Sequence, residues 1–172
     1  MFFYSLPLFF AQTQFGSPFE LFLITLTLFI GLFISTPPYA DGYLTTPPSI
    51  KSLYDYLLYT WYGQLSLSQV FWPFFLLLNL GIFSADYSAK EGWISVSSWD
   101  DAHFMFFIPS FFWAIAVWRS SENTQTRTGA AYARLMTIAV FFEYALKLLI
   151  RYQYPRIFFN CQESLIDYVS CF

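Results

Sequence analysis

In this chain of 172 residues, 57% are hydrophobic, 24% aromatic and only 11% charged, where a soluble domain carries about a quarter charged residues. That balance excludes an ordinary water-soluble globule. The formal charge of -3, with scattered basic residues, also excludes a nucleic-acid footprint. The fold class expected is an all-α integral membrane protein, with about four transmembrane helices and one interfacial amphipathic helix in a single polytopic domain over residues 1–172.

In chain order, residues 1–11 are apolar but lack a basic n-region and are too short to span, so they read as an interfacial arm. The first span covers 17–36. Ser17 caps it, Pro18 suits the first helical position, Glu20 completes a capping box, and Pro37-Pro38 stops it. Within 49–62, Ile50, Leu53, Tyr54, Leu57, Leu58 and Trp61 recur at the spacing of a one-sided helix, which reads as lying in the headgroup layer, although packing against a partner subunit would leave the same pattern.

The second span, 66–85, opens on the capping-box spacing of Ser66 and Gln69, and Pro73 is placed to bend it near its start. A polar connection holding Asp86, Lys90 and Glu91 leads to Ser98, the expected cap of a third span at 99–118. Trp99 and Trp118 bracket that span as interfacial aromatics, and Arg119 marks its exit. The fourth span covers 130–150, followed after Pro155 by a tail, 155–172. Arg119, Arg127 and Arg134 put the 119–134 loop on the cytoplasmic or matrix side of a bacterial or organellar inner membrane. Cys161 and Cys171 lie in the tail on the other side, where one disulfide forms if that compartment is oxidising; otherwise they stay as thiols.

Glu143 and Lys147 stand four residues apart inside the apolar run 135–150, where each central charge costs about 2.5–3.5 kcal/mol on insertion scales. Pairing them removes much of that penalty. Arg151 shares their side of the helix. If Asp100 and Arg151 mark one membrane face, His103 is level with Lys147, and Asn79 falls at a depth similar to that of Glu143, about 12 Å from the face. The expected intramembrane cluster is therefore Glu143, Lys147, Arg151, His103 and Asn79. Three roles are open to it: a lock between helices or subunits, a proton or ion path, or a site for a lipid or quinone headgroup.

His103 is the sole histidine, so a bis-histidine haem cannot be built within one chain, and no metal site is expected. The bland alternative is an interfacial histidine satisfied by Asp100 or by headgroups. No G-x-S-x-G elbow or glycine-rich phosphate loop occurs, so no catalytic residues are assigned, and structural lipids are the only cofactors expected. Lys147, six residues and then Tyr154-Pro155 resembles the first motif of the membrane lipid-phosphatase superfamily. Tyr154 stands where that motif has arginine and no PSGH motif follows, so the resemblance is no identification.

The 23 Phe and 13 Tyr beside three Lys give a composition similar to that of small hydrophobic subunits encoded by organelles or AT-rich genomes. The function expected is a non-catalytic membrane subunit that scaffolds or stabilises a larger complex, respiratory or photosynthetic, with other membrane subunits and lipids as partners. The alternative is a small transport or lipid- or quinone-binding protein built on the Glu143 and Lys147 pair.

Overall fold

The computed structural model describes residues 17–36, 49–124 and 126–153. The expectations for the amino-terminal arm, Pro37-Pro38, the tail, Cys161 and Cys171 fall outside these residues. Among the described residues the fold is all-helical, without strands. Its helices are α1 (Pro18–Ser35), α2 (Leu53–Trp61), α3 (Leu67–Lys90), α4 (Val96–Ser120) and α5 (Arg127–Gln153), with a 3-10 turn at Ser121–Asn123. Contacts divide the chain into two units. One holds Leu76–Pro109 and, among described residues, 140–153; the other holds α1, α2, Ser110–Ala139 and the start of α3 as far as Phe75.

Both halves of the expected capping box form at α1: Glu20 N donates to Ser17 Oγ at 3.2 Å, and Ser17 N donates to Glu20 Oε2 at 2.9 Å. Thr25 and Thr27 return their hydroxyls to carbonyls four residues back, each at 2.8 Å, so neither hydroxyl interrupts the apolar surface between Glu20 and Ser35. No residue of α1 is buried. Its contacts concentrate at the carboxyl end, where Phe29 meets Tyr132 with ring centroids 4.6 Å apart and Arg127 Nη2 donates to the carbonyls of Phe33 and Ile34 at 3.1 and 3.3 Å. Those carbonyls belong to the last turn, which has no intrahelical donors and favours a cation.

Ser52 caps α2 by accepting from Asp55 N at 3.1 Å. The helix attaches through Tyr56, Thr60 and Trp61, and leaves Ile50, Leu53, Tyr54, Leu57 and Leu58 of the expected stripe exposed. Tyr56 Oη donates to Gln69 O at 2.8 Å. Inside α3 that carbonyl would accept from residue 73, and Pro73 has no N–H to give. Tyr56 fills the vacancy from another helix.

Two glycines close helices in the left-handed region: Gly63 (φ 68) after α2 and Gly92 (φ 71) after α3. Each carries the paired reverse bonds of a Schellman end, Gln64 N to Tyr59 O at 2.9 Å with Gly63 N to Thr60 O at 3.1 Å, and Trp93 N to Ser88 O at 2.8 Å with Gly92 N to Ala89 O at 3.2 Å. Because Gly92 sets the stop, α3 runs past the expected end at residue 85 and draws Asp86 out of the supposed loop into helix. The next cap also moves. Ser95 Oγ, not Ser98, accepts at the start of α4, from Ser98 N at 3.1 Å. Trp99 thereby lies inside the first turns and is 1% exposed, a core residue packed with Ala89, Val96 and Ile150 and not an interfacial flank.

Among the described residues, three helical segments are long and apolar enough to cross a membrane: Pro18–Ser35, Leu67–Lys90 and Val96–Asn123, with mean hydropathies of 2.0, 1.5 and 1.3. The 27 residues of α5 are long enough too, but they include Arg127, Arg134, Glu143, Lys147 and Arg151. By apolarity the count among the described residues is three, and the expected fourth span is the charged one.

Candidate functional site

The carboxyl-terminal half of α5 puts Val140, Glu143, Tyr144, Lys147 and Ile150 on its buried side, at i, i+3, i+4, i+7 and i+10. Two charged residues thus share a face with apolar ones, and helical spacing alone carries them into the interior of the first unit. Glu143 is 1% exposed and Lys147 2%. Opposite them, α3 supplies Asp86 and α4 supplies Trp99 and His103, one turn apart.

Asp86 is the hub. Lys147 Nζ donates to its Oδ2 in a short contact. Its Oδ1 accepts from Trp99 Nε1 at 3.0 Å and lies 3.3 Å from His103 Nε2. Glu143 Oε1 is more distant, 3.9 Å from Lys147 Nζ. An aspartate near a helix carboxyl end opposes the helix dipole, so its place in α3 depends on these donors. Sequence reasoning paired Lys147 with Glu143 and named no acid on another helix for it. The nearer acid is Asp86, which the misplaced end of α3 had assigned to a loop; the glycine at position 92 was the available signal.

His103 Nδ1 lies 2.9 Å from Trp99 O. A carbonyl only accepts, so Nδ1 carries the proton. With the ring neutral, Nε2 accepts from Lys147 Nζ at 3.3 Å; with the ring protonated, it donates to Asp86 Oδ1. The histidine is buried, 7% exposed, and its carboxylate partner is Asp86, which corrects the expected interfacial contact with Asp100. Asp100 pairs with Arg151 instead, Oδ1 with Nε and Oδ2 with Nη2, both at 3.3 Å on a more exposed rim.

The structure therefore brings His103, Glu143 and Lys147 together and sets Arg151 one turn away on Asp100. Asn79 is half-buried on α3, two turns before Asp86 and about 10 Å from it along the axis. Among the described residues no group of three or more His, Cys, Asp or Glu is arranged to hold a metal ion. A groove of about 800 Å³ runs beside the cluster, with His103, Lys147 and Tyr144 on its wall and Phe104 and Leu148 at its lip.

Electrostatically, two carboxylates face one ammonium, with the His103 ring beside Asp86 and Lys147. Removing one partner from a buried pair of this kind costs about 3–5 kcal/mol, because the other is left charged in a poor solvent. The arrangement ties three helices through side chains alone. No family model, curated protein or solved structure matches the chain significantly.

Proposed function

We propose that the chain is a four-span integral membrane subunit that scaffolds a larger membrane assembly without chemistry of its own. The observation that carries this reading is α1: a membrane-length helix with no buried residue, secured at its carboxyl end and open along the rest. Such a helix presents its apolar sides to lipid and to neighbouring subunits, where packing rather than hydrophobic transfer decides association.

The reading of a fourth span is supported by the partners of the α5 cations. Arg127 serves α1 carbonyls, Arg134 Nε donates to Ser121 Oγ at 2.7 Å under Trp118, Lys147 meets Asp86, and Arg151 meets Asp100. Glu143 faces Lys147 along the same helix at 3.9 Å, and a helix whose charges are partnered in these ways is admissible in a bilayer despite its composition. The uncovered stripe of α2 supports a place in the headgroup layer. The phenylalanine-rich, lysine-poor composition supports an energy-converting complex, respiratory or photosynthetic, of a bacterial or organellar inner membrane.

Solubilising native membranes in mild detergent and resolving the complexes by size tests the proposal. Migration with a large assembly agrees with it; a stable monomer contradicts it.

A further inference from the structure

A second groove, of about 770 Å³, lies wholly within the unit that holds the starts of α3 and α5. Its walls lead away from those starts, with Ser68, Phe71, Trp72 and Phe75 on α3 and Gly129, Tyr132 and Met136 on α5, at the three- and four-residue spacing of one helix face. From Thr126 to Met136 the wall is about 15 Å long at helical rise, half of a hydrocarbon core of about 30 Å. The groove is therefore about as deep as one membrane leaflet.

Its two ends differ in chemistry. The inner end is aromatic: Phe71 and Phe75 stack with centroids 5.1 Å apart and rest on the buried Trp113 at 5.5 and 6.0 Å. Trp72 and Tyr132 line the groove while 55% and 59% exposed, so it is open to its surroundings. The outer end carries the hydroxyls of Ser68, Thr124 and Thr126, none of which makes a hydrogen bond among the described residues. Gly129 makes room for two of them, since a Cβ there would stand 2.7 Å from Thr126 Oγ1 and 3.9 Å from Thr124 Oγ1.

Charge selects among amphiphiles of that length. Among the described residues no acidic side chain lines the groove. Arg127, next to Thr126, is in no ion pair among them and gives its N–H groups to the neutral carbonyls of Phe33 and Ile34. An ammonium headgroup would find no carboxylate there. A phosphate would accept from the hydroxyls, close to a guanidinium whose charge no acid offsets.

We propose that this groove holds an anionic glycerophospholipid, its phosphodiester at Ser68, Thr124 and Thr126 and one acyl chain along Phe71, Phe75 and Met136. The inference rests on the membrane-spanning part of the proposed function and not on the assembly.

Phosphatidylglycerol carrying a diazirine midway along one acyl chain, irradiated with the full chain in mild detergent and mapped by peptide mass spectrometry, tests it. Label is expected to concentrate within residues 71–75 or 132–136 over 18–35, because α1 has no buried residue and reports indiscriminate contact. Unlabelled phosphatidylglycerol should suppress that label, and the same amount of phosphatidylcholine should not. Thr124→Val with Thr126→Val keeps the side-chain shapes while removing both hydroxyls, and should cut labelling about tenfold, the scale of one hydrogen bond to a charged group. Label spread evenly onto α1, equal suppression by phosphatidylcholine, or full labelling of the folded double variant would each overturn the proposal. Wild-type mapping and competition decide the site even if the variant does not fold, and native migration tests the scaffolding role separately.

Discussion

Lys147 of α5 donates to Asp86 of α3 across 61 residues of sequence, and both groups are withdrawn from solvent. Two singly unfavourable residues are thus each the reason the other is tolerated. Replacing Asp86 by Asn, or Lys147 by Met, should each destabilise the protein by about 3–5 kcal/mol. The double variant should recover a large part of that loss. Unfolding of the purified protein in detergent, arranged as a double-mutant cycle, checks the coupling, and simple additivity would count against it.

Gly63 and Gly92 share a left-handed backbone but differ in surroundings. A Cβ at Gly63 would stand 2.8 Å from Arg119 Cβ, whereas nothing lies within 4 Å of one at Gly92. Gly92→Ala should therefore show only the backbone penalty, about 1 kcal/mol. Gly63→Ala should cost about 2–3 kcal/mol, because the contact adds to the strain. Equal losses in thermal unfolding would reject the distinction.

Tyr56 replaces the donor that Pro73 lacks. Tyr56→Phe should cost about 1 kcal/mol by leaving Gln69 O without that hydroxyl. In a Pro73→Ala background the same change should cost much less, since residue 73 then supplies its own N–H. Stability curves for the four proteins give the answer; an undiminished cost in the alanine background would show that Tyr56 acts otherwise.

Arg127 holds the carboxyl end of α1. Arg127→Ala should loosen that attachment by about 1 kcal/mol, the scale of a cation at a helix terminus. Faster hydrogen exchange at Leu32–Thr36, with no change around Trp99, is the expected signature. Uniform acceleration over both regions would mean a general loss of fold.

At α1 the capping chemistry was legible because it is local, whereas at α4 the cap is Ser95 and not the expected Ser98. Ser17 with Glu20 and the proline at 18 placed α1 within a residue or two, and the apolar runs identified the membrane-length helices. The end of α3 was misread because an aspartate near a helix terminus counts as a loop signal by propensity, whereas Gly92 sets the stop and Lys147 and Trp99 satisfy the carboxylate inside the helix. The same distance effect hid the site. Spacing within α5 brought Glu143 and Lys147 together, but no local pattern links residue 86 to residue 147. The exposed stripe of α2 was legible as a stripe, although the face that attaches the helix, through Tyr56 and Thr60, was not.

The central claim is that α5 crosses the bilayer with Lys147 neutralised by Asp86 of α3 and Glu143 facing Lys147 along its own helix. Thr128 and Tyr152 are exposed near its two ends and about 36 Å apart at helical rise, enough to bracket a hydrocarbon core of about 30 Å. With Cys161 and Cys171 changed to serine, single cysteines at 128 and 152 can be probed with a membrane-impermeant maleimide in sealed, oriented membranes. The account predicts that the two positions react from opposite sides. Reaction of both from the same side would contradict it.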